Sequence, residues 1–527
     1  MAAVAVTRRD FVAMLLGAPL AAACGSAPRR IPPGTLVETG ARRGHATIRD
    51  AASPIPSQWR EREVVIVGGG VAGLAAAWEL RRSGITDVVV YELDDVSGGT
   101  ARGGQSTVTP YPWGAHYIVT PQADQPNLIA LLDELGAIER RLPDGTPIAS
   151  EALRCRELEE RVFYLGRWYE GLYLEAGASA DDHAQYARFK QQVAAWAMFR
   201  DGDGRRAFSL PVSKASTLPE LLALDQQTFG GWLDANKYTS ERLRWLCDYS
   251  CRDDYCLLAA DTSAWAGLFY FASRRSGPAG GDYQSVLTWP DGNASLVRHL
   301  AKGITVETGI AVTQISADGA VTAIGPTGPF GVRAKHVVVA VPGFIADRIV
   351  KLDPPRPAAA NDYGAWAVAN VHLRERPREA RGAPPAWDSV FRASPSLGYV
   401  SATHQRGRER GPTVWTWFYP FTGPGIEART KVLGAGYEDW AEVVCADLER
   451  AHPGIRELVD HIDIAFWGHG MIRPRVGSLF HSSRAARIEA RGTLHFAHTD
   501  LSGMALFEEA FDHGVRAARE IVESRKA

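Results

Sequence analysis

The sequence predicts an α/β protein in which a dinucleotide-binding domain is interleaved with a second, mixed α+β domain. A glycine cluster joins a short apolar strand to a helix near residue 68. Segments of similar character return at 289–342 and 492–524. With 527 residues, the chain is also too long for one simple core. The first domain must therefore be assembled from distant pieces of the chain.

The glycine cluster has the spacing G-x-G-x-x-G. The apolar run Val64–Val67 leads into Gly68, Gly70 and Gly73, and an Ala/Leu-rich helical stretch follows. Gly68 permits a sharp turn, Gly70 lets backbone amides approach a pyrophosphate, and Gly73 lets the helix sit close to the strand. A second β-branched run ends about 20 residues later on Glu92, which can accept hydrogen bonds from a ribose diol. The stretch predicts a Rossmann-like dinucleotide site; a glycine-rich turn without a ligand is the alternative.

The amino terminus has the pattern of an export signal. Arg8 and Arg9 precede a short apolar stretch, and together they resemble a twin-arginine signal. The stretch is shorter than the roughly 20 residues that span a bilayer. Cys24 follows three alanines and resembles a loose lipobox, so a lipid anchor at Cys24 and ordinary cleavage before it both stay open. We expect a signal over 1–24, an extended linker over 25–59, and a periplasmic or cell-envelope location.

Composition narrows the classes of partner. Hydrophobic content of 46% and charged content of 22% are those of a globular protein. A net charge of −2 argues against nucleic acid as an obligatory partner, and membrane contact is expected only through Cys24. Five other cysteines remain without a C-x-x-C pair, so neither a disulfide framework nor a metal site is predicted. Buried thiols or one optional disulfide are expected instead.

The remaining elements follow from hydrophobic periodicity. Helices are predicted at 126–142, 186–199, 228–249 and 437–453. Strands are predicted as a pair within 304–315, and at 336–341, 363–373 and 413–419. The glycine- and aromatic-rich segment 104–121 cannot be a long helix. We assign the dinucleotide-binding domain to 60–125, 285–345 and 471–527, a largely helical substrate or cap region to 126–284, and the second domain to 346–470.

Four separated pieces of the sequence follow one pattern. They are VVIVGGGVAGLAAAWELRRSG with VVVYELDDVSGGTARGG, WPDGNASLVRHLA with VETGIAVTQI, KHVVVAVP, and LHFAHTDLSGMALFEEAFDHGVRAAREI. In this order they resemble the flavin-containing amine oxidase superfamily, which includes monoamine and polyamine oxidases, protoporphyrinogen oxidase and phytoene desaturase relatives. The resemblance covers roughly residues 60–345 and 460–525 in patches. It implies FAD as the cofactor and a two-lobed fold of the amine oxidase type, without specifying a substrate.

The resemblance also implies roles for individual residues toward FAD. The residues implied are Gly68, Gly70, Ala72 and Gly73 at the pyrophosphate, Glu92 at the adenosine ribose, Gly98 and Gly99 after the acidic strand tip, Val312 at the adenine, Gly114 along the isoalloxazine, and Asp500 near the ribityl and pyrophosphate groups. The amino terminus of the last helix, near Glu509, would face the flavin O2/N1 side, where its dipole stabilises negative charge.

Two departures from the family bear on function. Many oxidases carry a strand lysine that holds a water against flavin N5, and alignment of YGAWAVANV puts Val368 there. Rapid reaction with oxygen is therefore not expected. Where some members attach a cysteine to the flavin, this chain offers His469. A histidyl–flavin link is the alternative to the non-covalent FAD that we expect.

Flavin-dependent oxidation needs a substrate held with its hydrogen over N5, and aromatic walls suit that because they exclude water. The candidates for this wall are Trp113, His116, Tyr117, Trp415, Trp417, Tyr419, His469 and Phe507. Of these, His116, His469, Trp417 and Phe507 form the predicted catalytic set, and the two histidines are candidates to take a proton from substrate. The alternating Trp415, Trp417 and Tyr419 equally fit one face of a core strand, and either histidine equally fits a scaffold role. Arg473 and Arg475 are candidates to bind a substrate carboxylate, with solvated loop arginines as the alternative.

These residues predict an exported FAD-dependent oxidoreductase of the amine oxidase type. It would transfer hydride from a C–N or C–C unit of a small molecule to flavin N5, with oxygen or another molecule as the final acceptor. One alternative is a desaturase or protoporphyrinogen-oxidase-like dehydrogenase acting on a larger apolar molecule. The other is a flavin-binding protein without catalysis. The valine at the lysine position favours a dehydrogenase.

Overall fold

In the computed structural model the described residues are 15, 30–49, 53–276, 282–283, 286–359, 361–407 and 410–526. Within these ranges no helix has the length and apolar character needed to cross a membrane. Arg8, Arg9 and Cys24, on which the export and anchoring predictions rest, lie outside the described residues.

The strands are numbered in chain order. They are β1 (Gly34–Val37), β2 (Trp59–Val67), β3 (Val88–Tyr91), β4 (Gly103–Gln105), β5 (Pro110–Pro112), β6 (Ile118–Val119), β7 (Ile138–Arg141), β8 (Pro147–Ala149), β9 (Glu160–Tyr164), β10 (Arg167–Glu170), β11 (Arg275–Ser276), β12 (Asp282–Tyr283), β13 (Val286–Leu287), β14 (Thr305–Glu307), β15 (Ala311–Ser316), β16 (Ala320–Gly325), β17 (Gly328–Val339), β18 (Val350–Lys351), β19 (Tyr363–Leu373), β20 (Asp388–Phe391), β21 (Gly398–Ser401), β22 (Thr413–Phe421), β23 (Val459–Ile472) and β24 (Leu494–Phe496).

The α-helices are numbered in the same way. They are α1 (Ala41–Gly44), α2 (Val71–Arg82), α3 (Pro126–Glu134), α4 (Ala180–Met198), α5 (Pro219–Leu222), α6 (Phe229–Ala235), α7 (Glu241–Tyr255), α8 (Ala264–Ala272), α9 (Ala294–Leu300), α10 (Gly343–Ile349), α11 (Gly425–Gly434), α12 (Tyr437–Leu448), α13 (Ile455–Leu458), α14 (Ser482–Ile488) and α15 (Phe507–Ser524).

The first large sheet is the predicted dinucleotide-binding domain. Its order is β14-β3-β2-β17-β16-β15-β18, and β24 also pairs with β17. The central strands β3, β2 and β17 run parallel. Helices α2 and α15 pack together against one face, and they cross closely at Gly514, where an added Cβ would lie 2.2 Å from the Ala72 carbonyl oxygen. Pieces 400 residues apart therefore build one domain, which confirms the predicted α/β fold class.

The second large sheet carries the strands predicted in the second domain. Its order is β1-β23-β19-β22-β21-β20-β9-β10. All eleven residues of β19 are buried. Because successive side chains of a strand point to opposite faces, Val368 and Phe418 join the core on one side of this sheet. Trp415 and Trp417 join the core on the other side, together with residues of α12.

The extended linker predicted over 25–59 is wrong for residues 34–49. Gly34 to Val37 form strand β1, which pairs in parallel with β23, Gly34 opposite Ile462. Helix α1 and a π-helical turn over His45–Arg49 follow. The composition of this segment does not predict a strand, because the strand is held by pairing with β23, which is more than 400 residues away in the sequence.

Two predicted helices end earlier than their periodicity indicates. The helix predicted over 126–142 stops at Glu134, and Gly136 then adopts a φ of 66°. The helix predicted over 228–249 is two helices, α6 and α7, separated at Lys237, whose φ is 58°. Apolar spacing continues across the break at Lys237, because residues beyond it such as Tyr238 and Leu243 are also buried.

The predicted boundaries of the helical region also need correction. Residues 138–170 contain the four strands β7 to β10 and no helix, and β9 and β10 extend the second sheet. Within 304–315 there are two strands as predicted, but they do not pair with each other: β14 pairs with β3, and β15 pairs with β16 and β18. The five described cysteines are free thiols, so no disulfide framework joins them.

Candidate active site

A cavity of about 890 Å³ is lined by residues of both large sheets. Its wall includes the carboxyl ends of β2 and β3, the amino ends of α2 and α15, and residues of β19 and β22. Helix amino termini present unpaired backbone N–H groups and partial positive charge. The cavity therefore has one part suited to phosphate groups and another walled by strand side chains.

The three motif glycines meet different requirements. Gly68 has a φ of 106°, and an added Cβ would lie 2.4 Å from the Ala340 carbonyl oxygen. At Gly73 an added Cβ would lie 1.9 Å from the Gly68 carbonyl oxygen, so this glycine permits close packing of helix and strand and does not line the cavity. Gly70 is the N-cap of α2, and a Cβ there would meet no described atom within 4 Å. Gly70, with Ala72 beside it, therefore opens the first turn of α2 to the cavity.

Glu92 lies at the end of β3, facing this turn. Its Oε2 accepts a hydrogen bond from the Gly69 amide at 2.7 Å, and its Oε1 accepts one from the Asp94 amide at 2.8 Å. Burial raises the pKa of Glu92, and these amide bonds partly oppose the shift. Each oxygen keeps a second lone pair, which suits a ribose diol. Gly98, Gly99 and Val312, which the sequence predicts at the cofactor, line the same cavity.

Asp500 contributes an unpartnered oxygen atom. Its Oδ2 accepts hydrogen bonds from the Gly343 amide at 2.6 Å and the Tyr363 hydroxyl at 2.5 Å. Burial opposes ionisation, but His498, Tyr363 and the Gly343 amide together hold the pKa of Asp500 below its usual value. Oδ1 is buried and lies 3.1 Å from His498 Nδ1, but it accepts no hydrogen bond from any described residue. The nearby Nδ1 of His498 already accepts the Asp500 amide at 3.2 Å. An ionised carboxylate with one free oxygen fits the hydroxyl groups of a ribityl chain.

Gly114 gives the cavity a flat stretch of backbone. An added Cβ at Gly114 would lie 2.3 Å from the Thr100 carbonyl oxygen, which also accepts a hydrogen bond from the Ala115 amide at 2.9 Å. Only glycine fits this position. Gly114 and Ala115 both line the cavity, as expected for a segment lying along a planar ring system.

The strand side of the cavity is apolar and aromatic. Val368 and Phe418 are directly opposite each other on β19 and β22, and both line the cavity. The His116 ring stacks on Phe418 with centroids 4.8 Å apart, and Tyr117 lies 5.2 Å from His116. Phe507 also lines the cavity, at the first position of α15. The valine predicted at the lysine position therefore faces the cavity.

The two predicted proton acceptors lie in separate groups. His116 belongs to the Phe418 group, whereas His469 packs on Phe344 and Tyr363 with centroids 4.5 and 5.8 Å away. Burial lowers the pKa of each imidazole to about 4, with the Arg429 charge adding to the effect at His469. Both rings are neutral at pH 7, and a pKa this low makes them weak bases.

The prediction that Trp417 lines the substrate wall is wrong, as it is for Trp415 and Tyr419. These three side chains are buried on the opposite face of β22, in the core formed with α12. The Trp417 Nε1 donates a hydrogen bond to Asp447 Oδ2 at 2.8 Å. The sequence shows that side chains alternate along this strand, but it does not show which set of side chains faces the cavity. A shift of one residue exchanges the two faces.

We therefore expect Trp417→Phe to affect stability and not activity. Loss of a hydrogen bond to a buried carboxylate should lower the free energy of unfolding by about 2 kcal/mol. Its kcat/KM should stay within about twofold of the wild type, whereas Phe418→Ala should reduce it, because Phe418 faces the cavity. Urea unfolding and steady-state rates measure both. If Trp417→Phe loses turnover while its stability is unchanged, Trp417 acts in the active site and the assignment to the core is wrong.

The remaining wall and carboxylate-binding candidates also lie outside the cavity. Trp113 is buried, and its carbonyl oxygen accepts a hydrogen bond from Trp467 Nε1 at 2.7 Å. Arg473 and Arg475 both contact Asp362 Oδ2, at 3.3 and 2.6 Å. They are wrong as substrate ligands because Asp362, more than 100 residues earlier, already engages both guanidinium groups.

Sequence reasoning missed a cluster of charged residues that lines the cavity. Asp254 pairs with Arg274, and Arg274 Nη1 donates to the Tyr117 hydroxyl at 3.1 Å. Asp253 and Glu508 line the same region, and within the described ranges neither forms an ion pair. Burial and the neighbouring Asp254 raise the pKa of Asp253, and burial raises the pKa of Glu508 to about 7. In the sequence the acidic pair at 253–254 resembles part of a solvated helix face. Only the aromatic residues around it indicate that this part of the helix is buried.

The residues of the cavity fit FAD. The open first turn of α2 at Gly70 suits the pyrophosphate, and Glu92 the adenosine ribose. The free Oδ1 of Asp500 suits the ribityl hydroxyls, and the backbone at Gly114 the ring. The first turn of α15, which begins at Phe507, supplies the helix amino terminus that was predicted near Glu509. These residues come from the first and third pieces of the predicted dinucleotide-binding domain, and Val312 of the second piece lines the same cavity.

Comparisons with solved structures support the same fold. A putrescine oxidase is 20% identical, with a TM-score of 0.63 over 88% of this chain and 100% of that one. Cyclohexylamine oxidase from Brevibacterium oxydans IH-35A is 17% identical, with a TM-score of 0.62 over 89% of this chain and 100% of that one. At these identities the likeness shows the fold.

Sequence comparison gives a short match to a curated protein and a family match that covers most of the chain. Mitochondrial dimethylglycine dehydrogenase of Rattus norvegicus is 40% identical over 48 residues, which are 9% of this chain and 6% of that relative. The family model for flavin containing amine oxidoreductase matches residues 71–522, most of the chain and both sheets. The protein is therefore an FAD-dependent oxidoreductase that belongs to the flavin containing amine oxidoreductase family.

Proposed function

We propose that this oxidoreductase acts on a small cationic amine and oxidises its C–N unit. Two unpaired carboxyl groups, Asp253 and Glu508, line the cavity and carry this proposal. The Arg274 charge is balanced by Asp254, so the local excess of charge is negative. In a site of low dielectric a carboxylate and an ammonium group attract each other by several kcal/mol, because about 4 kcal/mol is expected at 4 Å and an effective dielectric of 20.

The aromatic wall complements this charge. Tyr117 joins the two, because its hydroxyl lies 3.4 Å from Asp254 Oδ1 and its ring lies beside His116. Phe418 and Val368 complete an apolar surface that excludes water from the carbon skeleton of a substrate. The ammonium group would be drawn to the carboxyl groups while the adjacent carbon rests on the apolar wall. Bound FAD supplies the acceptor for the hydride, at flavin N5.

The proton of the ammonium group must leave before the C–N unit is oxidised. Glu508, with a pKa of about 7, is a stronger base than His116, with a pKa of about 4. We therefore assign proton acceptance to the Glu508 carboxylate, and assign the His116 ring to the wall. The sequence predicts an imidazole, of His116 or His469, as the group that accepts the substrate proton, and we assign that role to Glu508 instead.

The charged cluster disfavours the apolar alternative. A wholly apolar substrate would bury Asp253 and Glu508 without an ion-pair partner, which costs free energy, and the hydrogen bond from the Val119 amide to Glu508, at 3.4 Å, offsets little of it. The amines named for putrescine oxidase and cyclohexylamine oxidase are consistent with the proposal, since both proteins share this fold. A flavin-binding protein without catalysis would not need two carboxyl groups that lack ion-pair partners in its cavity.

Anaerobic mixing of the purified holoprotein with a panel of compounds tests the proposal. The panel contains primary and secondary amines, amino acids, and apolar polyenes. Bleaching of the flavin by at least one amine is expected. Bleaching only by the apolar compounds would transfer the proposal to a desaturase, and no bleaching by any compound would leave only flavin binding.

We further propose that the final acceptor is not oxygen. Val368 is buried and faces the cavity at the position where many oxidases carry a lysine. Without a cation there, reduced flavin should react slowly with air. Val368→Lys should accelerate reoxidation at least tenfold, and the uncharged control Val368→Met should not. Stopped-flow reoxidation measures both, and fast reoxidation of the wild-type protein would contradict the proposal.

We also propose export by the twin-arginine route, supported by Arg8, Arg9 and the apolar stretch after them. Fractionation of cells expressing the full chain tests this. The holoprotein is expected outside the cytoplasm, and recovery only from the cytoplasm would contradict it. Mass spectrometry of the exported protein would distinguish a lipid on Cys24 from ordinary cleavage.

A further inference from the structure

Three potential metal ligands meet on the second sheet, outside the cavity. His372 on β19 and His461 on β23 are directly opposite each other in the strand register. Asp463 follows two residues after His461, on the same face of β23. The ligand atoms of the three side chains all lie within 4.8 Å of one another. None of the three lines the cofactor cavity.

The individual distances place one carboxylate oxygen between two imidazoles. Asp463 Oδ2 lies 3.7 Å from His461 Nε2 and 3.9 Å from His372 Nε2. Tetrahedral zinc has bonds of about 2.0–2.1 Å, which sets its ligands about 3.3 Å apart. The present spacing is only a few tenths of an ångström wider. The His372 and His461 rings stack with centroids 3.9 Å apart, so their Nε2 lone pairs lie in nearly parallel planes, and one ring must turn to share an ion. His461 is partly exposed, which gives its ring the room to do so.

The Nε2 atom of His372 is an unpartnered polar atom in the interior. His372 is only 5% exposed, and no described residue forms a hydrogen bond with this nitrogen. Buried polar atoms normally have a partner, and a lone one needs an explanation. This nitrogen faces Asp463, where an ion would give it one.

A second set of contacts orients the ligands. His461 Nδ1 donates a hydrogen bond to Asp460 Oδ2 at 2.9 Å, which leaves the lone pair on Nε2. The other oxygen of Asp463 accepts a hydrogen bond from the Thr35 hydroxyl of β1 at 2.9 Å. Carboxylate partners of this kind accompany metal-binding histidines because they fix the tautomer and the ring orientation.

We propose that His372 Nε2, His461 Nε2 and Asp463 Oδ2 bind a divalent first-row transition metal ion, with zinc as the best match. Two imidazoles and one carboxylate are typical zinc ligands, whereas magnesium and calcium prefer oxygen alone. Water completes the coordination from the partly exposed side. The sequence did not predict this site because its histidines are 89 positions apart and only strand pairing brings them together.

The ion would hold β19 and β23 together and, through Thr35, would fix the edge strand β1. Zinc should therefore raise the melting temperature. This effect is independent of the oxidoreductase reaction, because the site shares no residue with the cavity.

Zinc binding by the purified full-length holoprotein tests the proposal. Calorimetric titration and elemental analysis after gel filtration should give one zinc ion per chain. His461→Ala and Asp463→Asn should weaken binding at least 100-fold, and Asp460→Asn should weaken it 10- to 100-fold by freeing the ring. His183→Ala is the matched control, because His183 is an exposed histidine with a carboxylate partner, Glu175, at 3.2 Å.

A spectroscopic measurement keeps the test independent of folding. Cobalt substituted for zinc should give visible ligand-field bands in the wild type and in His183→Ala, and not in His461→Ala. Equal zinc content in wild type and His461→Ala would overturn the proposal. So would the absence of binding at micromolar zinc in a wild-type protein that retains its flavin.

Discussion

Replacing Gly70 with alanine is expected to weaken FAD binding strongly while leaving the fold intact. Gly70 has a φ of −74° and an extended ψ, which alanine adopts without strain. The added methyl group meets no described atom within 4 Å, because it projects into the space where the pyrophosphate must approach the first turn of α2. A methyl group there separates the phosphate from the N–H groups that bind it. Affinity for FAD should fall at least 100-fold.

Flavin content after purification and titration of the apoprotein with FAD measure this effect. Gly423→Ala is the matched control, since a Cβ at Gly423 also meets no described atom within 4 Å but Gly423 does not line the cavity. Circular dichroism should show both variants folded. Wild-type FAD affinity in Gly70→Ala would show that the cofactor does not approach this turn.

The second large effect is expected from neutralising the two unpaired carboxyl groups. Asp253→Asn combined with Glu508→Gln keeps the shape of the cavity and removes its excess negative charge. The kcat/KM for an amine should fall about 100-fold or more, which corresponds to about 2.7 kcal/mol of lost transition-state stabilisation. Flavin content should stay unchanged, because neither residue was assigned to FAD.

Glu509→Gln is the control for this experiment. Glu509 is adjacent to Glu508 and equally buried, but it accepts a hydrogen bond from the Val212 amide at 2.6 Å and does not line the cavity. A similar loss of activity in both proteins would indicate a general disturbance of α15 and would contradict a specific role for Glu508.

The same cluster predicts how KM depends on pH. Burial raises the pKa of Glu508 to about 7, so this carboxyl group loses its charge as the pH falls through neutrality. A substrate amine, with a pKa near 10, stays protonated throughout this range. Burial and the neighbouring Asp254 also raise the pKa of Asp253 to about 7, so it loses its charge over the same range. KM should therefore rise as the pH is lowered from about 8 to about 6, and Asp253→Asn combined with Glu508→Gln should flatten the profile. A KM that falls toward acid pH would contradict the assignment.

The cofactor site was predictable because its signals are local. Gly68, Gly70, Gly73 and Glu92 lie within 25 residues. Gly68 and Gly73 are required by the backbone geometry of a strand–turn–helix unit, and Gly70 leaves the first turn of α2 open to the cavity. Asp500 was accessible only through resemblance to a family. Its unpartnered oxygen depends on contacts with Gly343 and Tyr363 that no local pattern records.

The substrate side was less predictable, for physical reasons. Trp417 and Phe418 are neighbours on one strand, and only the tertiary packing of α12 decides which of them faces the cavity. Asp253 and Glu508 are 255 positions apart, and each resembles an ordinary acidic residue of an amphipathic helix. In the sequence Arg473 and Arg475 resemble free anion ligands, and only the tertiary structure shows that both form ion pairs with Asp362.

The central claim is that the cavity uses charge to select an amine for oxidation by FAD. Anaerobic single-turnover reduction of the holoprotein tests it most directly, with an amine and the alcohol of the same carbon skeleton compared at equal concentration. The amine should bleach the flavin with a saturable rate, and the alcohol should bleach it at least 100-fold more slowly. Equal rates for the two compounds, or bleaching by the alcohol alone, would contradict the claim.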